Sequence, residues 1–179
     1  YNGEEYGQIY IKEYDFNRKK WSERKQLTKS QQSRLYIDLI LKDNMVHIAY
    51  CQHMYGNLVV VYERFLYDDG IVKRDILRKL SNPENPQHPT IIYYGGRLWI
   101  CWIEYENVMS CYSQDMGSTW SPIYMWQKSK GMDIVRYEYH GKLPGDIILD
   151  SSFGNIGQEI GLIGFGSTID TIEIPSKLE

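Results

Sequence analysis

Residues 35–41 (LYIDLIL), a turn at Asp43-Asn44 and residues 45–51 (MVHIAYC) are echoed 52 positions later by residues 89–93 (PTIIY), a turn at Gly95-Gly96 and residues 97–103 (RLWICWI). Ile40 aligns with Ile92, Ile48 with Ile100 and Tyr50 with Trp102. Asn and Gly in the paired turns supply the positive φ that a tight hairpin requires. A third segment, 57–62 (NLVVVY), matches 107–112 (NVMSCY) at an offset of 50, because the second intervening loop is two residues shorter. A fourth strand is expected over 70–77 in one unit and over 120–126 in the next. Upstream, residues 8–16 (QIYIKEYDF) read as a third strand, and Trp21-Ser22 matches Trp120-Ser121 at 99 residues, two repeats away. Downstream, 133–141 reads as a first strand. The order is half a unit, two complete units and the start of a fourth.

Four strands recurring about every fifty residues is the pattern of β-propeller blades. The expected fold is therefore all-β: a partial propeller of about three four-stranded blades. Composition agrees, with one alanine (Ala49) against sixteen tyrosines, five tryptophans and twenty-one isoleucines. Strands favour β-branched and aromatic residues, and helices favour alanine. Helical bundles, coiled coils and Rossmann-type folds are excluded, and no apolar run is long enough to span a bilayer. Runs such as LVVVY and LWICWI are apolar on both faces, as a blade packed between two neighbours requires. A β-sandwich, the other all-β reading, would show cleaner alternation. A formal net charge of −3 leaves no electrostatic footprint for nucleic acid.

All tyrosines and tryptophans lie before residue 140, whereas residues 141–179 hold seven of the fifteen glycines and carry two basic and six acidic side chains. A boundary near Gly141 is expected, with the propeller over 1–140 and a glycine-rich β extension or linker over 141–179. Apolar runs at 146–149, 159–165 and 168–174 suggest strands that pair with a blade edge. Leu178-Glu179 reads as the remnant of a cloning site, and the chain as an excised piece of a longer protein. Cys51, Cys101 and Cys111 sit in apolar runs and read as buried thiols rather than a disulfide framework.

Between the third and fourth strands of the last complete unit stands Ser113-Gln114-Asp115-Met116-Gly117-Ser118-Thr119-Trp120, which fits S-x-D-x-G-x-T-W at every fixed position. Here the sequence resembles the Asp-box (bacterial neuraminidase repeat) family of sialidase-like propellers. One copy is intact; the half-unit keeps Trp21-Ser22, and the middle unit has Asp68-Asp69-Gly70 with no tryptophan. Physically the box is a folding device. Ser113, Asp115 and Thr119 can bond nearby backbone N–H groups, Gly117 admits a left-handed corner, and Trp120 offers an apolar face. The resemblance implies that Asp boxes lie on the propeller face opposite the active site. That places candidate binding residues on the second-to-third strand turns, at Gln52, His53, Tyr55, Glu104, Tyr105 and Glu106, and on the 81–89 connection, at His88. Acids, amides and aromatics of this kind suit a sugar-recognising surface.

The resemblance also implies an arginine cluster, an acid and a glutamate-assisted tyrosine nucleophile in active sialidases, with a Phe/Tyr-Arg-Ile-Pro signature. That tetrapeptide is missing; Ser33-Arg34-Leu35-Tyr36 and Val135-Arg136-Tyr137 are its nearest counterparts. No catalytic residue is assigned. Glu104 and Glu106, two residues apart in a short turn, are poorly disposed to bracket a glycosidic bond. His47, His53, His88 and His140 show no ligand spacing, His47 reading as a core histidine, and no metal or cofactor is expected. The expected function is a non-catalytic sialidase-like module binding a glycan or a protein. The alternative is a fragment of an active sialidase or other glycoside hydrolase. About three blades do not close a ring, so the chain is expected to associate with itself or with missing blades. The resemblance implies an extracellular or cell-surface setting.

Overall fold

A computed structural model describes residues 6–29, 31–68, 71–130, 134–137, 148–155 and 161–167. The first layer is a bent hairpin of four short strands, β1 (Tyr10–Ile11), β2 (Tyr14–Asp15), β3 (Lys20–Trp21) and β4 (Lys25–Gln26). β2 pairs with β3 inside the pairing of β1 with β4. The expected single strand over 8–16 is thus interrupted at Lys12-Glu13. There Glu13 N–H donates to the Ser22 hydroxyl at 3.0 Å, which takes the place of a ladder bond.

The second layer is a four-stranded antiparallel meander, β5 (Arg34–Lys42), β6 (Met45–Met54), β7 (Asn57–Asp68) and β8 (Ile71–Lys79). The third repeats it with β9 (Gln87–Tyr94), β10 (Arg97–Glu104), β11 (Asn107–Ser113) and β12 (Tyr124–Met125), followed by a 3-10 turn over Gln127–Ser129. The first turn of each meander is left-handed at both central residues, with φ of 51° and 57° at Asp43 and Asn44 and of 58° and 73° at Gly95 and Gly96. That geometry matches the twist of the strands it joins. The expected fourth strand over 120–126 shortens to Tyr124–Met125, because Pro122 has no N–H and Ser121 bonds Tyr112 in its stead: Ser121 N–H donates to Tyr112 O at 2.9 Å and Tyr112 N–H to the Ser121 hydroxyl at 3.0 Å.

A last antiparallel sheet comprises β13 (Ile134–Tyr137), β14 (Ile148–Asn155) and β15 (Gly161–Ser167). Strands on either side of Gly141 pair with each other, Ile134 with Asn155 through Tyr137 with Ser152. The expected tail strand over 168–174 lies outside the described residues.

These layers stack face to face. Ile9, Ile11 and Leu27 of the hairpin pack on Val46, Ile48, Tyr50, Val59, Val61 and Phe65 of the β5–β8 sheet. The other face of that sheet, with Ala49, Cys51, Val60 and Tyr62, meets Ile91, Leu98, Ile100, Trp102 and Cys111 of the β9–β12 sheet. The far side of the latter, with Ile92, Trp99, Cys101, Val108 and Trp126, receives Phe153, Ile163 and Phe165. Both faces of the two central sheets are thus dry, the physical reason β6, β7 and β10 read as unbroken apolar runs. The first strands of the two meanders lie side by side, where Asp38 Oδ2 accepts from Ile91 N–H at 2.8 Å and the Tyr36 ring meets that of His88 at a tilt of 51° and 4.4 Å. Among the described residues there is no α-helix, and no helix is long and apolar enough to cross a membrane. Among the described residues no sheet closes on itself.

Candidate functional site

The meanders put the first-to-second and third-to-fourth strand turns at one end of the stack and the remaining connections at the other. At the first end the 113–120 turn folds on its own side chains. The Ser113 hydroxyl donates to Asp115 Oδ1 at 2.7 Å and accepts from Gly117 N–H at 2.7 Å. Asp115 Oδ1 also accepts from Thr119 N–H at 2.8 Å, and Oδ2 from the Thr119 hydroxyl at 2.7 Å. These bonds, Thr119 N–H foremost, hold the Asp115 carboxyl down at about 2. Trp120 Nε1 donates to Gly117 O at 3.1 Å, and its ring meets Tyr62 edge-on at 4.9 Å.

The turn is tied to the preceding sheet. Met116 O accepts from the Tyr62 phenol at 3.2 Å and from Arg64 Nη1 at 2.7 Å, and the same guanidinium holds Ser118 Oγ at 3.2 Å and pairs with Asp75. His47 Nδ1 lies 2.7 Å from the same phenol oxygen, and the imidazole tautomer sets which of the two donates. Gly117, at φ +91°, lies so close beneath Tyr62 that a Cβ would stand 2.0 Å from the phenol oxygen. Ser113, Asp115, Thr119 and Trp120, the bonding side chains at the fixed positions of the motif, are all engaged in shaping this turn.

At the opposite end the sequence-expected residues divide. Gln52 lines a pocket of about 510 Å³ in the β5–β8 sheet, together with Lys29, Arg34, Tyr50, Glu63, Arg74 and Lys79. His53 is exposed, Tyr55 at the β6–β7 turn is 94% exposed, and His88 faces Tyr36. The segment after β8 binds that turn through Asn57 Nδ2 to Pro83 O at 3.0 Å and Leu58 N–H to Asn85 Oδ1 at 2.9 Å. It reaches the β10–β11 turn where the Tyr105 phenol donates to Glu84. Glu104 accepts from Trp102 Nε1 at 3.0 Å, and partial burial raises its pKa. Tyr105 and Glu106 both hold positive φ, 50° and 59°, in a conformation that favours glycine or asparagine.

The pocket floor is what the sequence did not single out. Arg34 Nη2 donates to Glu63 Oε1 at 3.2 Å, the two side chains being 3% and 1% exposed. The Tyr50 phenol donates to the same oxygen, and the Arg34 guanidinium lies 4.9 Å from the Tyr50 ring centre. Glu63 Oε2 is buried without a hydrogen-bond partner among the described residues; the Arg74 guanidinium stands 3.7 Å away. Burial and the bond to Glu63 push the Tyr50 phenol well above its ordinary pKa. Burying a carboxylate costs several kcal/mol unless it is paired and bonded. Four cations, Lys29, Arg34, Arg74 and Lys79, thus line the pocket with this one carboxylate, and two of them, Arg34 and Arg74, approach it. A signal was present: Glu63 interrupts the apolar run VVVYERF at a position where both faces are expected to be dry.

Among the described residues no cluster of His, Cys, Asp or Glu is placed to hold a metal ion. No protein-family model matches the chain, and no curated protein matches its sequence.

Proposed function

We propose that this chain is a non-catalytic binding module of sialidase-like propeller type, and that the Arg34–Glu63–Arg74 pocket seats a glycan bearing an anionic group. The four-stranded meanders stacked on dry faces and the Asp-box turn docked on the preceding sheet support the architecture. The observation that carries the ligand class is Glu63 Oε2, a buried acceptor with no hydrogen bond among the described residues, on a residue that lines a pocket with four cations, three glutamines, Tyr50 and the apolar Met54, Val61 and Leu77. A sugar hydroxyl donates to such an oxygen while accepting from a guanidinium, and an acidic substituent balances the remaining positive charge. Gln52 adds an amide able to do both.

The test is a titration of the full chain with neutral and acidic oligosaccharides by calorimetry. Acidic sugars bind in preference, and Arg74→Ala and Lys79→Ala each weaken binding about tenfold, the equivalent of one charged hydrogen bond. Affinity indifferent to both substitutions counts against the pocket.

One observation favours the second reading, a glycoside hydrolase. Tyr50, Glu63 and Arg34 are the residue types that the resembling sialidases use as nucleophile, assistant and carboxylate clamp. Against it, Tyr50 is 1% exposed and its raised pKa opposes the phenolate that attack needs. Hydrolysis of a fluorogenic sialoside, abolished in Tyr50→Phe, would favour the enzyme.

A further inference from the structure

The pocket is longer than one sugar ring. Its lining crosses the whole β5–β8 sheet, from Arg34 on β5 to Lys79 on β8, three inter-strand spacings of about 4.8 Å, or about 14 Å in all. Register makes the path straight, since Tyr50 stands opposite Val61 and Val61 opposite Lys79. Positive charge is spread along it. Arg34 and Arg74 approach Glu63, whereas Lys29 and Lys79 enter no ion pair among the described residues. Four cations against one carboxylate leave an excess of three positive charges in the pocket.

The positive path continues past the sheet edge. β8 is the outermost strand of its sheet, and successive side chains point to opposite faces. Leu77 and Lys79 line the pocket on the face turned to the hairpin. Arg78 and Leu80 line a second cleft, of about 290 Å³, on the face turned to the β9–β12 sheet. Lys79 lines both, so the thickness of one strand separates them. The second cleft holds Arg78, the hydroxyls of Ser118, Thr119 and Ser121 and the half-buried Trp120 ring, and none of its lining residues is acidic. Arg78 forms no ion pair among the described residues.

We infer that the two clefts form one track for a linear acidic polysaccharide, with carboxylate or sulfate groups on successive sugars, laid across the β5–β8 sheet and over the edge of β8 at Lys79. The inference rests on the pocket reading above and extends it from one acidic group to a chain of them. A glycan acidic only at its tip answers one stretch of the track and leaves Arg78 unneutralised. A phosphodiester backbone, the other linear polyanion, accepts hydrogen bonds but brings no donor to Glu63 Oε2, whereas sugar hydroxyls donate. The Trp120 ring adds an apolar face for the carbon side of a sugar.

Calorimetric titration of the full chain with a heparin-derived disaccharide and hexasaccharide tests it. The hexasaccharide binds at least about tenfold more tightly than the disaccharide, since it reaches both clefts. Arg78→Ala, at an exposed position, weakens the hexasaccharide about tenfold and leaves the disaccharide unchanged, and the retained disaccharide binding reports an intact fold. Arg74→Ala weakens both. Lys128→Ala, an exposed cation that lines neither cleft, changes neither. Equal affinity for the two lengths, or a hexasaccharide indifferent to Arg78→Ala, overturns the track and leaves the pocket standing. Hexasaccharide binding that Arg74→Ala does not weaken, or no binding at either length, removes the pocket reading and the track with it. A single-stranded oligothymidylate of equal charge that binds as tightly as the hexasaccharide overturns the carbohydrate assignment.

Discussion

His47 and Asp115 are two titratable groups on one anchor. His47 reaches the 113–120 turn through Tyr62 and Met116, and Asp115 shapes that turn from within. Burial, aided by the positive charge of Arg64, lowers the His47 pKa to about 4. An unfolded histidine takes its proton near pH 6.5. Between those values the unfolded chain binds more protons, so stability falls as pH drops from about 6.5 to about 4. Asp115 acts in a lower window. The unfolded carboxylate protonates near pH 4 and the folded one at about 2, so its contribution is present above about 4 and lost as pH falls toward 2. Urea denaturation across pH resolves the two limbs. His47→Gln flattens the upper limb alone, and Asp115→Asn the lower alone. An upper limb unchanged in His47→Gln would show that some other group sets it. The S-x-D-x-G-x-T-W spacing was legible because its bonds are local. The partners Tyr62 and Arg64, more than fifty residues away, were not, since no local rule links a strand to a turn of the next unit.

At the scale of the element, each unit closes its outer edge with a buried hydroxyl. Thr28 Oγ1 accepts from Ile9 N–H at 2.8 Å, Ser81 Oγ from Val60 N–H at 2.8 Å and Ser129 Oγ from Val108 N–H at 2.9 Å. All three residues are buried. Where the fourth strand ends early, the third still presents an N–H that must be satisfied. Ser81→Ala leaves the Val60 N–H buried without an acceptor and costs about 1–3 kcal/mol. Chemical denaturation measures the loss, and Ser81→Thr, which keeps the hydroxyl, recovers most of it. The hairpin turns and the long strands were readable because turn chemistry and apolar runs are properties of adjacent residues. The hydroxyl bonds and the shortened outer strands were not. A serine at the end of a strand looks like any other loop residue until the strand it faces is known.

For the whole molecule, the three thiols report cooperativity. Cys51 faces the junction of the two central sheets with Cys111, while Cys101 faces the junction with the last sheet. Burial pushes the Cys51 thiol up to about 12, and also raises those of Cys101 and Cys111. The native chain is therefore expected to react negligibly with a thiol reagent at neutral pH, because only the thiolate attacks. If the layers unfold as one body, all three become reactive over one denaturant transition. Separate transitions for Cys51 and Cys101 would mean that the two junctions melt independently. The repeat in the sequence determined the layers, their order, the turns that join their strands and the dry faces between them, because each follows from neighbours in the chain. The tertiary structure decided what those layers bring together. Arg34, Tyr50 and Glu63 stand on three different strands, and only the register of β5, β6 and β7 brings their polar groups together. A buried ion reveals its role only when its partners are fixed in space, since the same Glu63 is costly alone and tolerable beside Arg34 and Tyr50.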